Sequence, residues 1–332
     1  MRKLLPLLAT FCCLLPWDRA RADWFSAEEA IMGTRVAVEL WSDDGPGGQA
    51  AITVVMGEMR RIDALMSHYR PESQISRINV RAAEQPVTVD PELVHLLKTA
   101  LAFSELSDGA FDITYASVGY LYDYRAGRHP DDGQIRSALP AISWRHVILD
   151  ERASSVRFTQ PGVRIDLGGI AKGYACDRAA DLLRARGIKH AIVTAGGDSR
   201  ILGDRRGRPW VVGIRHPDDR KRVIARIPLE DAAISTSGDY ERFFDEGGVR
   251  YHHIIDPATG RSASDVRSVT VIAADATTTE GLTKSVFVKG PDAGLAFING
   301  LRARDKRYAD VDAVIVARDG RVLYSDGLAP PR

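Results

Sequence analysis

The stretch from Arg164 to Asp198, RIDLGGIAKGYACDRAADLLRARGIKHAIVTAGGD, constrains the fold of this chain most. A strand runs into an Asp-Leu-Gly-Gly turn, a helix follows with a lysine in its first turn, and a second strand ends in Gly-Gly-Asp. Gly168 and Gly169 permit backbone shapes closed to other residues, which would let a ligand approach the main chain. Amides at a helix start together with Lys172 suit a phosphate or diphosphate. The spacing is neither Gly-x-Gly-x-x-Gly nor a Walker A loop, which argues against a standard dinucleotide fold or P-loop. On these residues alone, a tight turn carrying a surface lysine is the competing explanation.

Around this block helices and strands are mixed without strict βα alternation. The expected class is therefore α+β, with mixed or antiparallel sheets in one large domain of two intimate halves, residues 23–332. Thr34–Leu40 alternates like a half-buried strand, and Ile52, Val55, Met56, Met59, Ile62 and Met66 recur at helical spacing. Residues 68–79 read as a loop and Pro91–Ser107 as a helix. Residues 125–152 read as a polar excursion, and the helix after the glycine turn spans about 170–186, closed by Gly187. Strands are expected at 190–195, 210–215, 233–236, 268–273 and 312–317, and helices at about 278–288 and 292–299. No repeat or low-complexity tract is present.

Residues 1–22 read as a secretory signal. Arg2 and Lys3 precede an apolar run from Leu4 to Pro16, and Ala20-Arg21-Ala22 has the small-x-small pattern of a cleavage site. The expected location is thus exported: periplasmic, or the outer face of the inner membrane. The 45 basic residues nearly balance the 44 acidic ones, which gives no bulk charge for a nucleic-acid partner. Cys12 and Cys13 fall inside the leader and leave Cys176 alone, so no internal disulfide forms in the mature chain.

Further motifs bear on chemistry. Tyr251–Gly260 reads YHHIIDPATG, a strand end with two histidines before an Asp-Pro turn. A histidine there can abstract a proton near neutral pH, or simply pack. Asp108 and Gly109 sit in SDGAFD, and Tyr69 in SHYR offers a ring for a flat cofactor.

Together the motifs resemble the FAD:protein FMN transferases, the ApbE-like family, over Met32 to about Gly290. The residues that carry the resemblance are Met32–Thr34, Ser67–Ser73, Asp108–Asp112, Asp166–Tyr174, Gly196–Asp198, Thr236–Tyr240 and His253–Pro257. The resemblance implies an exported transferase that attaches FMN from FAD to a Thr or Ser of an acceptor protein through a phosphoester, releasing AMP. The implied acceptor carries a short Ser/Thr flavinylation motif, often on a membrane electron-transfer protein. A flavin-binding or flavin-delivery protein and an FAD pyrophosphatase are the alternatives.

The resemblance further implies that Lys172 neutralises the diphosphate and that His253 is the base. Tyr69 would pack by the flavin. Asp108, Gly109, Asp166, Gly168, Gly196, Gly197, Asp198, Ser237 and Asp239 would shape the nucleotide pocket, and the Gly169 carbonyl would be one magnesium ligand. The family's other magnesium ligands, an Asp and a Thr four residues apart, correspond here to Glu280 and Lys284. A protonated lysine has no lone pair for a metal and repels a divalent cation. Either Lys284 supplies the charge that magnesium would supply, or the site is degraded; an i, i+4 pair between Glu280 and Lys284 is the plain alternative. Tyr115-Ala116-Ser117 stands where relatives carry Gly-Pro.

Overall fold

The computed structural model describes residues 22–219 and 221–328. The expected leader, residues 1–22, lies outside them except for its last residue. The centre is an eight-stranded sheet whose order across the sheet is the order along the chain. Its strands are β1 (Asp23–Ile31), β2 (Thr34–Ser42), β3 (Ala191–Ala195), β4 (Asp198–Leu202), β5 (Ala233–Gly238), β6 (Val266–Ala273), β7 (Asp312–Ala317) and β8 (Val322–Tyr324). Every neighbouring pair is antiparallel.

β1 was not foreseen from the sequence. It pairs with β2 through a two-residue turn at Met32 and Gly33, both at positive φ (56° and 67°), the twist-matched hairpin geometry. β1 alternates polar and apolar residues only weakly, because it is an edge strand with exposed charged side chains.

Among the described residues, six longer helices accompany the sheet. They are α1 (Gly45–Met66), α2 (Gln74–Arg81), α3 (Pro91–Leu106), α4 (Ala171–Ala185), α5 (Ala276–Lys289) and α6 (Pro291–Arg304). α1 starts earlier than its apolar stripe, because Asp44 caps it by accepting from Gly47 N at 2.9 Å. Part of the expected 68–79 loop is helical: Ser73 caps α2 by accepting from Ser76 N at 3.0 Å. The expected 125–152 excursion is likewise built, with a helix at Asp132–Ala138 and a strand at Val147–Asp150 that pairs with Ser155–Phe158.

α5 is buried on almost every side, between α4, β5 and β6. That all-round burial blurs the amphipathic pattern by which a surface helix is recognised. Asp177 on α4 caps the start of α5 by accepting from Ala276 N and Thr277 N, both at 2.8 Å. One continuous core joins the first-half helices to α5 and the sheet, so the two expected halves share one interior.

Candidate active site

The Asp166–Tyr174 turn is tied largely to itself. Asp166 accepts from Gly168 N (2.7 Å) and Tyr115 Oη (2.8 Å), and His68 Nδ1 lies 3.3 Å away. Burial pushes the Asp166 carboxyl up, but these partners outweigh it and hold it below its ordinary range. Ile170 N and Ala171 N both donate to Leu167 O, at 2.9 and 2.8 Å, and Gly173 N donates to Glu280 Oε2 at 2.7 Å. The expected amide cradle is therefore largely occupied by the fold. Asp166 shapes the turn and anchors Tyr115.

Lys172 departs from expectation for the same reason. Its ammonium donates to Gly168 O (3.0 Å), approaches Asp198 Oδ2 (3.1 Å) and pairs with Glu280 Oε1. An ammonium has three donors, and all three are taken. Glu280 and Asp198 are almost fully buried, so Lys172 serves as their internal counter-ion rather than as a free cation. Glu280 pairs with Lys172 and Gly173, and the alternative i, i+4 pair between Glu280 and Lys284 is not among the ion pairs of the described residues.

Lys284 instead donates to Ser237 Oγ at 2.5 Å, and Ser237 in turn donates to Thr283 Oγ1 at 3.1 Å. Burial, seconded by the charge of Lys172 and opposed by Asp198, lowers Lys284 to about 7. Its stem passes Gly169: a Cβ there would be in ordinary contact with Lys284 Cγ at 3.5 Å and tighter against Phe111 at 3.3 Å.

The two histidines separate. His252 is buried; its Nε2 donates to Ala263 O at 2.7 Å while its Nδ1 accepts from Ile254 N at 3.3 Å. Burial lowers it to about 4, so it is a neutral structural residue. His253 follows the strand end Val249–His252, and its Nδ1 is buried with no hydrogen-bond partner among the described residues. Burial, then the charges of Lys284, Arg242, His252 and Lys172, push it well below the ordinary histidine range. Asp256 closes the turn that follows by accepting from Ala258 N (2.9 Å) and Thr259 Oγ1 (3.1 Å).

The remaining residues divide into walls and bystanders. Gly197 lets the β3–β4 turn approach β5: a Cβ there would sit 2.3 Å from Thr236 O. Gly196 has φ +64°, and a Cβ on it would sit 2.7 Å from Thr34 Oγ1. Asp239 lies off the lysine cluster. It is buried against Arg267 (2.9 Å) and Arg250 (3.7 Å), so its charge is answered by arginines rather than by the lysines. Asp108 and Gly109 (φ 55° and 79°) form the left-handed stop of α3, with Gly109 N donating to Ser104 O at 2.7 Å. Tyr69 is 73% exposed and lies against His68 with the rings tilted by 39° (centroids 3.8 Å apart), and Tyr120 meets His68 edge-on at 5.4 Å. Arg242 was missed from the sequence. Its carbonyl accepts from His253 N and its guanidinium donates to Gly33 O, both at 3.2 Å, and no local motif marks it.

Magnesium does not fit these donors. Glu280 is already engaged by Lys172 and Gly173, and position 284 presents an ammonium in place of an oxygen. Among the described residues, no group of three or more His, Cys, Asp or Glu side chains is placed to hold a metal ion.

A family model described as the ApbE family matches residues 32–306. The chain is 34% identical to an FAD:protein FMN transferase of Klebsiella pneumoniae over 91% of its length and 92% of the relative's. It is also 34% identical to an FAD:protein FMN transferase of Treponema pallidum, over 93% of its length and 89% of that protein. A crystal structure of the ApbE protein from Thermotoga maritima superposes with a TM-score of 0.84 at 36% identity, covering 92% of this chain and 98% of that one.

Proposed function

The chain belongs to the ApbE family, and from that premise we propose that it is an FAD:protein FMN transferase using His253 as its base. The observation that carries this reading is the buried, unpartnered His253 Nδ1 beside the cluster of Lys172, Lys284, Asp198 and Glu280. A neutral imidazole with a free lone pair accepts a proton; burial first and the neighbouring cations second keep His253 neutral, and a bound diphosphate offsets the second of these. The acceptor's Ser or Thr oxygen bonds to the FMN phosphorus as the bridging P–O bond to AMP breaks. The hydroxyl proton passes to His253, and AMP departs with the bridging oxygen. The exposed rings of Tyr69 and Tyr120 beside His68 offer a shelf for the isoalloxazine.

The leader-like residues 1–22 support placing this reaction outside the cytoplasm, on an acceptor at the membrane surface. Cell fractionation of the full chain tests that placement.

The reaction is tested by incubating the chain with FAD and a peptide carrying a Ser/Thr flavinylation motif. Protein-bound flavin and AMP should appear in equal amounts. Free FMN and AMP without acceptor would identify a pyrophosphatase, and stoichiometric FAD binding without AMP a flavin carrier. Either result would overturn the transferase reading.

A further inference from the structure

We propose that the Lys284 ammonium stands in for a divalent cation at the FAD diphosphate, so that this chain binds FAD without metal. The inference rests on the flavin-transferase reading and concerns the same site. Three observations carry it.

The first is donor chemistry. A divalent cation needs oxygen lone pairs, and α5 offers one carboxylate, Glu280, with both oxygens engaged: Oε1 by Lys172 and Oε2 by Gly173 N. A metal at Glu280 would have to displace Lys172, leaving that lysine and Lys284 to repel the metal and each other.

The second is the difference between the two lysines. Lys172 has its donors committed to Gly168 O, Asp198 and Glu280. Among the described residues Lys284 has one hydrogen-bond partner, Ser237 Oγ, so it retains donors for non-bridging phosphate oxygens. Its stem passes over Gly169, which places it against the glycine turn.

The third is charge. Asp198 and Glu280 bring two negative charges and Lys172 one positive. With Lys284 protonated, the state a bound diphosphate favours, the cluster is neutral, and Arg242, beside His253, gives it a positive excess suited to an anion.

The test is FAD titration of the full chain, followed by flavin fluorescence in EDTA and in magnesium, together with calorimetric titration of magnesium alone. The proposal expects the same FAD affinity in both buffers and no saturable magnesium binding. Lys284→Met should weaken FAD roughly 10- to 100-fold in EDTA, the loss of one charge-assisted phosphate contact, and Lys284→Arg should retain most of the affinity. The double variant Glu280→Asp with Lys284→Thr should bind FAD only when magnesium is added. FAD binding by the native chain that requires magnesium, or saturable magnesium binding on its own, overturns the proposal and leaves the transferase reading standing. No FAD binding in either buffer overturns the transferase reading itself.

Discussion

The backbone N–H of Gly173 on α4 donates to the Glu280 carboxylate on α5 at 2.7 Å, and only a glycine at 173 allows it. A Cβ there would lie 2.1 Å from Ala276 O, well inside contact distance. Gly173→Ala should therefore push the two helices apart and separate Lys172 from Glu280. The expected cost is about 1–3 kcal/mol, read from the urea midpoint, with FAD affinity falling in parallel. An unchanged midpoint would show that the helices are not held at this spacing.

His252 and His253 should fail differently. His253→Ala is expected to slow FMN transfer by about 10²- to 10⁴-fold while sparing FAD binding, as loss of a general base does. His252→Ala leaves the Ala263 carbonyl and the Ile254 amide without their buried partner, and should cost about 1–3 kcal/mol of stability. Kinetics and denaturation of both variants separate the roles; loss of FAD binding in His253→Ala would assign that residue to the pocket.

Lys172 is expected to act on stability first. Lys172→Met leaves the nearly fully buried Asp198 and Glu280 carboxylates uncompensated, at a cost of about 3–5 kcal/mol. Adding Glu280→Met should recover a good part of it. A double variant as unstable as the single one would deny that the pair is coupled, and chemical denaturation of the four proteins closes the cycle.

Lys284 links the site to pH. It is lowered from 10.5 to about 7, so the unfolded chain holds a proton that the folded, ligand-free chain has released between these values. The group's contribution to ligand-free stability accordingly rises with pH across that window. A bound diphosphate favours the charged ammonium and reverses the balance. FAD binding should take up a proton above pH 7, and affinity should fall as pH rises. Calorimetry in two buffers of different ionisation enthalpy reads the uptake, and Lys284→Met should abolish it.

Local grammar carried much of this protein. The glycine turn, the helix it opens and the Asp-Pro turn after the histidines were legible, because each depends on residues a few positions apart: Asp166 on Gly168, Asp256 on Ala258 and Thr259. α5 was located only approximately, since a helix buried on all sides loses its stripe. β1 was missed because an edge strand does not need one.

The sequence by itself determined the class of the fold, most of the elements around the glycine turn and the family. It also placed a lysine at position 284, where the resemblance implies a metal-ligand oxygen. Only the tertiary structure decided what each charge does. Lys172, 108 residues from Glu280 in the chain, is held by it, while Lys284 on the same helix as Glu280 turns to Ser237. Adjacent histidines divide into a bonded structural residue and one with a free buried nitrogen. The reason is physical: turns and helices follow from nearest-neighbour sterics and hydrogen bonds. Which cation is free and which nitrogen is unpartnered depends on groups far apart in sequence that meet only when the core closes.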